Sequence, residues 1–147
     1  MRPGLSLKIV IDDGNCFMRA VAEIIGMDHA VVRRLLVAEV LNNPSEYQCF
    51  VDNINEWADA MKDEGTWADG LAVKAAANCL HIPIVVFRKR NPNQSPTPFL
   101  PRVYDDAVTD EEPICVELDE SCAGGEHYNP LVQSKRSTPV RRKRDTQ

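Results

Sequence analysis

The chain has 147 residues, which is enough for one compact domain and leaves no room for two of ordinary size. Hydrophobic residues make up 44% of it and charged residues 27%, which excludes a disordered or fibrous chain. The formal net charge is −5, from 17 basic and 22 acidic side chains, with acid concentrated in residues 105–120 and base near the C-terminus.

The sequence carries no pattern of a secreted or membrane-spanning protein. The apolar run over residues 5–11 is interrupted by Ser6 and Lys8, and no small-residue cleavage site follows it. No stretch approaches the ~20 apolar residues that cross a bilayer. The five cysteines are odd in number and irregularly spaced, so they predict no disulfide framework. We therefore expect a reducing compartment, the cytoplasm, or the host cytoplasm if the protein is viral or bacterial.

The first predicted elements are a strand, a turn and a helix. Apolar side chains alternate over residues 5–11, which predicts a short strand. Residues 12–15, Asp-Asp-Gly-Asn, are turn formers. Apolar side chains then recur at helical spacing over residues 17–25, which predicts a helix with one face on a core. Cys16 therefore lies at or near a helix N-terminus.

Three further helices are predicted. The second begins at Asp28, a candidate N-cap, and ends near residue 41. The third begins at Pro44 and continues to Met61, because apolar side chains keep helical spacing over residues 50–61. Gly65 ends it, and the alanine-rich residues 67–80 form the fourth helix.

The second half of the chain favours strands. Residues 82–87 are a β-branched run typical of a buried strand, and residues 114–118 and 128–132 are two more. Residues 91–101 contain four prolines and are predicted to form a loop. Helices followed by strands indicate an α+β fold.

The C-terminal residues differ from the rest in composition. Over residues 133–147 apolar content collapses while Lys and Arg accumulate, which is typical of a solvated tail. We therefore expect one domain over residues 1–132 and a basic, disordered tail over residues 133–147.

Cys16 is a candidate nucleophile. A helix N-terminus presents unpaired N–H groups and a positive dipole end, which favour the thiolate over the thiol. The backbone N–H groups of Asp13, Gly14, Asn15 and Cys16 can converge beside it as an oxyanion hole, since Gly14 permits conformations closed to other residues.

His127 is a candidate base. It follows Gly124 and Gly125 at the start of a predicted strand, where residues i and i+2 point to the same face. Asn129 can then accept the imidazole N–H and fix the tautomer that directs the other nitrogen to Cys16. A cysteine at a helix start is also commonly a small core residue, and the residues alone leave both interpretations open.

Three blocks, in order, resemble the ovarian tumour (OTU) family of cysteine proteases. Residues 13–19, DGNCFMR, are similar to its nucleophile box, and residues 66–87, TWADGLAVKAAANCLHIPIVVF, to its middle block. Residues 125–129, GEHYN, resemble its histidine box. Met18 departs from the aromatic residue more usual there, and many members carry aspartate where this chain has Asn129.

The resemblance implies a papain-type fold with a small central sheet packed between helices. It also implies a deubiquitinase that cleaves after the C-terminal glycines of ubiquitin or polyubiquitin through a thioester, without metal or organic cofactor. Cys16 would be the nucleophile, His127 the general base and Asn129 the orienting residue. No nucleic-acid partner is expected for the domain.

Four residues are candidate substrate contacts. Trp67 and Tyr128 lie in or beside the matching blocks, although a single tryptophan is also a common core anchor. Glu117 and Asp119 belong to an acidic stretch whose carboxylates can pair with arginines of a ubiquitin tail. A solvated loop is the alternative for that stretch.

Two other functions remain open from the sequence. Asn129 and Met18 also fit a catalytically weak ubiquitin-binding module, and the same thiol chemistry fits a protease for another ubiquitin-like modifier. A zinc site at Cys115, Cys122 and His127 is not expected, because no Cys-x-x-Cys pair is present.

Overall fold

The computed structural model describes residues 5–10, 13–91, 93–103, 112–120 and 127–133. Within this part of the chain, helices and a mixed sheet form the expected α+β fold. The elements are β1 Leu5–Leu7, α1 Cys16–Ile25, α2 His29–Asn42, α3 Pro44–Tyr47, α4 Ile54–Met61, α5 Gly70–Leu80, β2 Ile84–Arg88, β3 Thr97–Phe99, β4 Ile114–Asp119 and β5 His127–Gln133.

The sheet has five strands in the order β1-β5-β4-β2-β3. Only β2 and β4 pair in parallel, and the other neighbours are antiparallel. Along β4, Ile114, Val116 and Leu118 are buried while the residues between them are half-buried. This alternation separates a face on the core from a face that carries Glu117 and Asp119.

The core lies where α1, α2 and α5 pack together and against the sheet. Helix α1 contacts β4 and β5, α5 contacts β2 and β3, and α2 contacts both α1 and α5. Four alanines of α5 are fully buried, and their small side chains let neighbouring backbones approach closely. The fully buried alanines are Ala72, Ala75, Ala76 and Ala77.

The first two predicted helices are confirmed. Cys16 is the first residue of α1, and Gly26 ends that helix in a left-handed conformation with φ of 75°. Asp28 is the N-cap of α2, because its carboxylate accepts the N–H of Ala30 at 2.8 Å.

The third predicted helix is wrong as a continuous element. It breaks into α3 and α4, because Asn53 takes an extended conformation and caps α4 by accepting the N–H of Glu56 at 3.0 Å. The turn between them leaves Phe50 56% exposed, although its spacing matched the apolar stripe.

Other boundaries differ from the predictions. Strand β1 ends at Leu7, and α5 begins three residues late because Asp69 is its N-cap. The predicted loop over residues 91–101 contains β3, where Pro98 is tolerated because β3 is an edge strand. Strand β5 continues to Gln133, and residues 134–147, where the tail is predicted, lie outside the described residues.

In the described part of the chain, none of the helices is long and apolar enough to cross a bilayer.

Candidate active site

Cys16 lies at the edge of β5. β1 pairs with β5 as far as Leu7 opposite Leu131, and the N–H of Lys8 then donates to the Pro130 carbonyl at 3.0 Å. Further along that edge, the backbone N–H of Tyr128 donates to Cys16 Sγ at 3.3 Å. The N-terminus of α1 therefore places the thiol where a neighbouring strand would otherwise supply a carbonyl. The residue is 1% exposed.

His127 and Asn129 lie side by side, as the i, i+2 spacing predicts. His127 Nε2 is 2.9 Å from Asn129 Oδ1, and both residues are buried. The N–H of Val10 donates to the same oxygen at 3.0 Å, which orients the Asn129 amide. With the proton on Nε2, the imidazole donates to Asn129 and keeps Nδ1 as its basic nitrogen.

The backbone of His127 lies close to the Cys16 thiol. Tyr128 N, which contacts the sulfur, is one peptide unit from the Cα of His127. Standard bond lengths then place that Cα within about 6 Å of Cys16 Sγ. A thiol at a helix N-terminus beside a histidine held by a third residue is an arrangement suited to nucleophilic catalysis.

Within the loop of residues 13–16, two backbone N–H groups donate to Asp13. The N–H of Asn15 donates to Asp13 Oδ1 at 3.0 Å, and the N–H of Cys16 donates to the Asp13 carbonyl at 3.1 Å. Two of the four donors predicted for an oxyanion hole are thus engaged within the loop in this structure.

Asp13 connects this loop to helix α1. Its carboxylate accepts from Arg19 Nε at 3.3 Å and from Nη2 at 3.1 Å. Burial raises the pKa of Asp13, but the hydrogen bonds and charge of Arg19 and the N–H of Asn15 outweigh it and lower the pKa below its ordinary value.

The side chain of Asn15 joins the loop to a second segment. Its Oδ1 accepts from Gly65 N–H at 2.8 Å and from Arg33 Nη2 at 2.8 Å. Gly65 adopts φ of 92°, a conformation that favours glycine. Gly14 also packs closely there, since a Cβ at that position would lie 1.5 Å from the Gly65 carbonyl oxygen.

The four predicted substrate contacts differ in placement. Trp67 is half-buried and packs against the core. Glu117 and Asp119 are opposite Asn129 and His127 in the β4–β5 register, so they share the sheet face of those two residues. Lys89 Nζ is 3.2 Å from Asp119 Oδ2. Tyr128 is 5% exposed and its ring packs edge-on against Phe17, which does not support a substrate contact by that ring.

Two of the other described cysteines, Cys79 and Cys115, are less suited to nucleophilic chemistry, because a raised pKa disfavours the thiolate. Burial raises the pKa of Cys79 to about 12, and burial also raises that of Cys115. Cys49 is exposed. Within the described residues, no cluster of His, Cys, Asp and Glu could hold a metal ion, and Cys122 lies outside them.

Sequence reasoning missed Arg33, which reaches the nucleophile loop from α2. The sequence did contain a signal: Arg33 has helical spacing with Leu36, Val37 and Val40, the apolar residues of the buried face of α2. A cation in such a stripe indicates specific polar partners.

A family model described as OTU-like cysteine protease matches residues 11–128 of the chain. The chain belongs to this family. It is 30% identical over 138 residues to OVARIAN TUMOR DOMAIN-containing deubiquitinating enzyme 7 of Arabidopsis thaliana, a match covering 90% of this chain and 34% of that protein. It is 22% identical to ubiquitin thioesterase otu2 of Schizosaccharomyces pombe, covering 88% of this chain and 46% of that protein. The chain thus spans less than half the length of either relative.

Solved OTU structures share the fold. The OTU domain of OTUD1 has a TM-score of 0.70 at 20% identity, with 88% of this chain and 86% of that chain covered. The Hazara virus OTU bound to ubiquitin has a TM-score of 0.69 at 15% identity, with 90% and 83% covered. The predicted OTU fold is confirmed.

Proposed function

We propose that this domain is a thiol-dependent deubiquitinase that hydrolyses peptide and isopeptide bonds after the C-terminal glycine of ubiquitin. The observation that carries the proposal is the contact of Tyr128 N–H with Cys16 Sγ beside the His127–Asn129 pair. The names of the relatives, a deubiquitinating enzyme and a ubiquitin thioesterase, and the viral OTU bound to ubiquitin support ubiquitin as the substrate.

In the first half-reaction, the Cys16 thiolate attacks the carbonyl carbon of the substrate and forms a tetrahedral oxyanion. The carbon–nitrogen bond then breaks, and the leaving amine takes a proton from His127. The product is a thioester between Cys16 and the ubiquitin C-terminus. Asn129 holds the ring through Nε2, so Nδ1 exchanges the proton with both thiol and amine.

In the second half-reaction, water attacks the thioester carbon while His127 accepts its proton. The carbon–sulfur bond breaks, ubiquitin leaves with a free carboxylate, and Cys16 returns to the thiolate. His127 carries the proton that moves between the thiol, the leaving amine and the attacking water, and the second proton of that water passes to solvent as the product acid ionises. Every heavy-atom bond is made or broken at one carbon, so the cycle needs no metal or organic cofactor.

We place the oxyanion hole at the backbone N–H groups of residues 13–16. The N–H of Cys16 can serve the oxyanion when its bond to the Asp13 carbonyl is exchanged for one to the substrate. The N–H of Asn15 is likewise engaged by the Asp13 carboxylate, so Asp13 and Gly14 are the other candidate donors.

We further propose that Glu117 and Asp119 contact the arginines of the ubiquitin tail, since both share a sheet face with His127 and Asn129. Free thiols at the described cysteines agree with a cytoplasmic enzyme. We also propose a domain boundary near residue 132, with a basic tail after it.

The decisive experiment uses ubiquitin that carries a C-terminal electrophile, incubated with wild-type protein, Cys16→Ala and His127→Ala. A mass shift of one ubiquitin on the wild type, absent from Cys16→Ala, establishes both nucleophile and substrate class. Cys49 is the matched control, because Cys49→Ala removes an exposed thiol and keeps the adduct.

A folded wild-type protein that forms no adduct overturns the proposal. Equilibrium binding of unmodified ubiquitin then identifies a ubiquitin-binding module. An adduct with the same electrophile on another ubiquitin-like modifier identifies a protease for that modifier.

A further inference from the structure

Arg33 is a buried cation beside the nucleophile loop. The residue is 2% exposed, although it belongs to α2 and its neighbour Arg34 is exposed. Burying a guanidinium is costly unless its N–H groups find good partners. No carboxylate of the described residues lies within ion-pair distance of it.

Four oxygen atoms from two separate segments accept hydrogen bonds from Arg33. Nη2 donates to the Gly14 carbonyl at 3.2 Å and to Asn15 Oδ1 at 2.8 Å, both in the nucleophile loop. Nη2 also donates to the Thr66 carbonyl at 3.0 Å, so one of its two N–H groups is shared between two acceptors, and Nη1 donates to the Met61 carbonyl at 2.7 Å. The guanidinium therefore joins the loop before Cys16 to the segment over residues 61–66.

This contact selects a peptide orientation in the loop. In a trans peptide the C=O and the following N–H point in opposite directions. Because the Gly14 carbonyl points toward the buried guanidinium of Arg33, the N–H of Asn15 points away from Arg33. Gly65 N–H holds the other side of Asn15 Oδ1, so the loop is fixed from two directions.

We propose that Arg33 is a positioning residue for catalysis: it holds residues 13–16 against residues 61–66, and so aligns Cys16 and the oxyanion donors. This inference rests on the proposed function for its kinetic test. It does not require Arg33 to touch the substrate.

The kinetic test compares Arg33→Met, Arg33→Lys and the matched control Arg34→Met in cleavage of a fluorogenic amide from the C-terminus of ubiquitin. Misplacing reacting groups by about 1 Å costs on the order of 100-fold in rate. We expect Arg33→Met to lower kcat about 100-fold with KM changed less than about twofold. Arg33→Lys recovers part of the loss, and Arg34→Met keeps wild-type values.

A second variant protects the test against misfolding. Asn15→Ala removes the oxygen shared by Arg33 and Gly65 without removing the buried cation. We expect a similar fall in kcat, and a smaller than multiplicative loss in Arg33→Lys combined with Asn15→Ala, because the two residues act through one contact.

Amide hydrogen exchange measured by NMR supplies a readout that needs no substrate. The Gly65 amide donates to Asn15 Oδ1 although the residue is exposed. We expect it to exchange about tenfold faster in both Arg33 variants and in Asn15→Ala, and at the wild-type rate in Arg34→Met.

The inference is overturned if Arg33→Lys and Asn15→Ala fold and keep both the wild-type kcat and the wild-type exchange rate of the Gly65 amide. It is also overturned if the kcat losses of the two single variants multiply in full in the double variant. If the wild type does not cleave the ubiquitin amide, the proposed function fails, and Gly65 exchange alone decides whether Arg33 holds the loop.

Discussion

The two sides of the candidate site are held in place differently. His127 and Asn129 stand on β5, where pairing with β4 sets which residues share a face, and one amide oxygen then fixes the ring. Cys16 follows an irregular loop, which is held by the side chains of three residues from α1, α2 and the loop itself. These are Arg19, Arg33 and Asn15. Regular backbone needs few specific residues to place a functional group, whereas irregular backbone needs buried polar ones.

The largest effect is expected where the loop meets residues 61–66. Gly14→Ala adds a Cβ that would lie 1.5 Å from the Gly65 carbonyl oxygen, so one of the two backbones must move. We expect ubiquitin cleavage to fall about 1000-fold, as for loss of oxyanion donors, and stability to fall by about 3 kcal/mol. Steady-state kinetics and urea unfolding measure the two effects.

Gly70→Ala is the matched control, because a Cβ at Gly70 meets nothing within 4 Å and the residue begins α5. It should keep activity and stability, or gain about 0.5 kcal/mol from the helix propensity of alanine. Equal losses in the two variants would contradict the close approach of Gly14 to Gly65.

On the strand side, Asn129→Ala should lower kcat about 100-fold, since His127 loses its partner and the Val10 N–H loses its acceptor. Asn129→Asp keeps an oxygen at that position and should retain most activity. Both variants should fold, because the sheet register persists. If alanine and aspartate give equal losses, Asn129 does not act through its oxygen.

This contrast explains what could be predicted from the sequence. Pairing of His127 with Asn129 follows from the period of two in a strand, and the position of Cys16 follows from the apolar stripe after it. Both need only local periodicity. Arg33 could not be assigned partners this way, because three of its acceptors are backbone carbonyls whose positions depend on tertiary structure.

The misplaced helix has a related cause. Helical spacing continues through Phe50, Ile54 and Met61, so a single helix fits the pattern. Asn53 competes by capping α4, and the chain before it turns instead. Periodicity identifies which residues can share a face, but a local cap decides where the helix begins.

A smaller effect on activity tests the face shared by β4 and β5. Glu117→Lys combined with Asp119→Lys should raise KM for ubiquitin substrates about tenfold and leave kcat nearly unchanged, since charge-assisted bonds to a tail arginine would be lost. The exposed acidic residue Glu56 supplies the control Glu56→Lys, which should leave KM unchanged. An unchanged KM in the double variant would contradict the proposed contact of Glu117 and Asp119 with the ubiquitin tail.

The smallest effect concerns the free energy of unfolding at low pH. It distinguishes the loop contact of Asp13 with Arg19, which titrates, from the strand contact of His127 with the amide of Asn129. The pKa of Asp13 is lowered in the folded state, because Arg19 and the Asn15 N–H outweigh burial. Its stabilisation is therefore present above the ordinary value of 3.8, and disappears as pH falls through the lower folded pKa. The pair is part-exposed, so at pH 7 we expect less than about 1 kcal/mol.

Urea unfolding of wild type and Asp13→Asn at pH 7, 5 and 3 measures this difference. Asparagine keeps an acceptor for the Asn15 N–H, so the comparison isolates the charge. We expect wild type to be the more stable at pH 7 and 5, and the gap to shrink at pH 3. Arg19→Gln should remove most of the same pH dependence, because it takes away the partner charge. A gap that stays constant down to pH 3 would contradict the lowered pKa of Asp13 in the folded state.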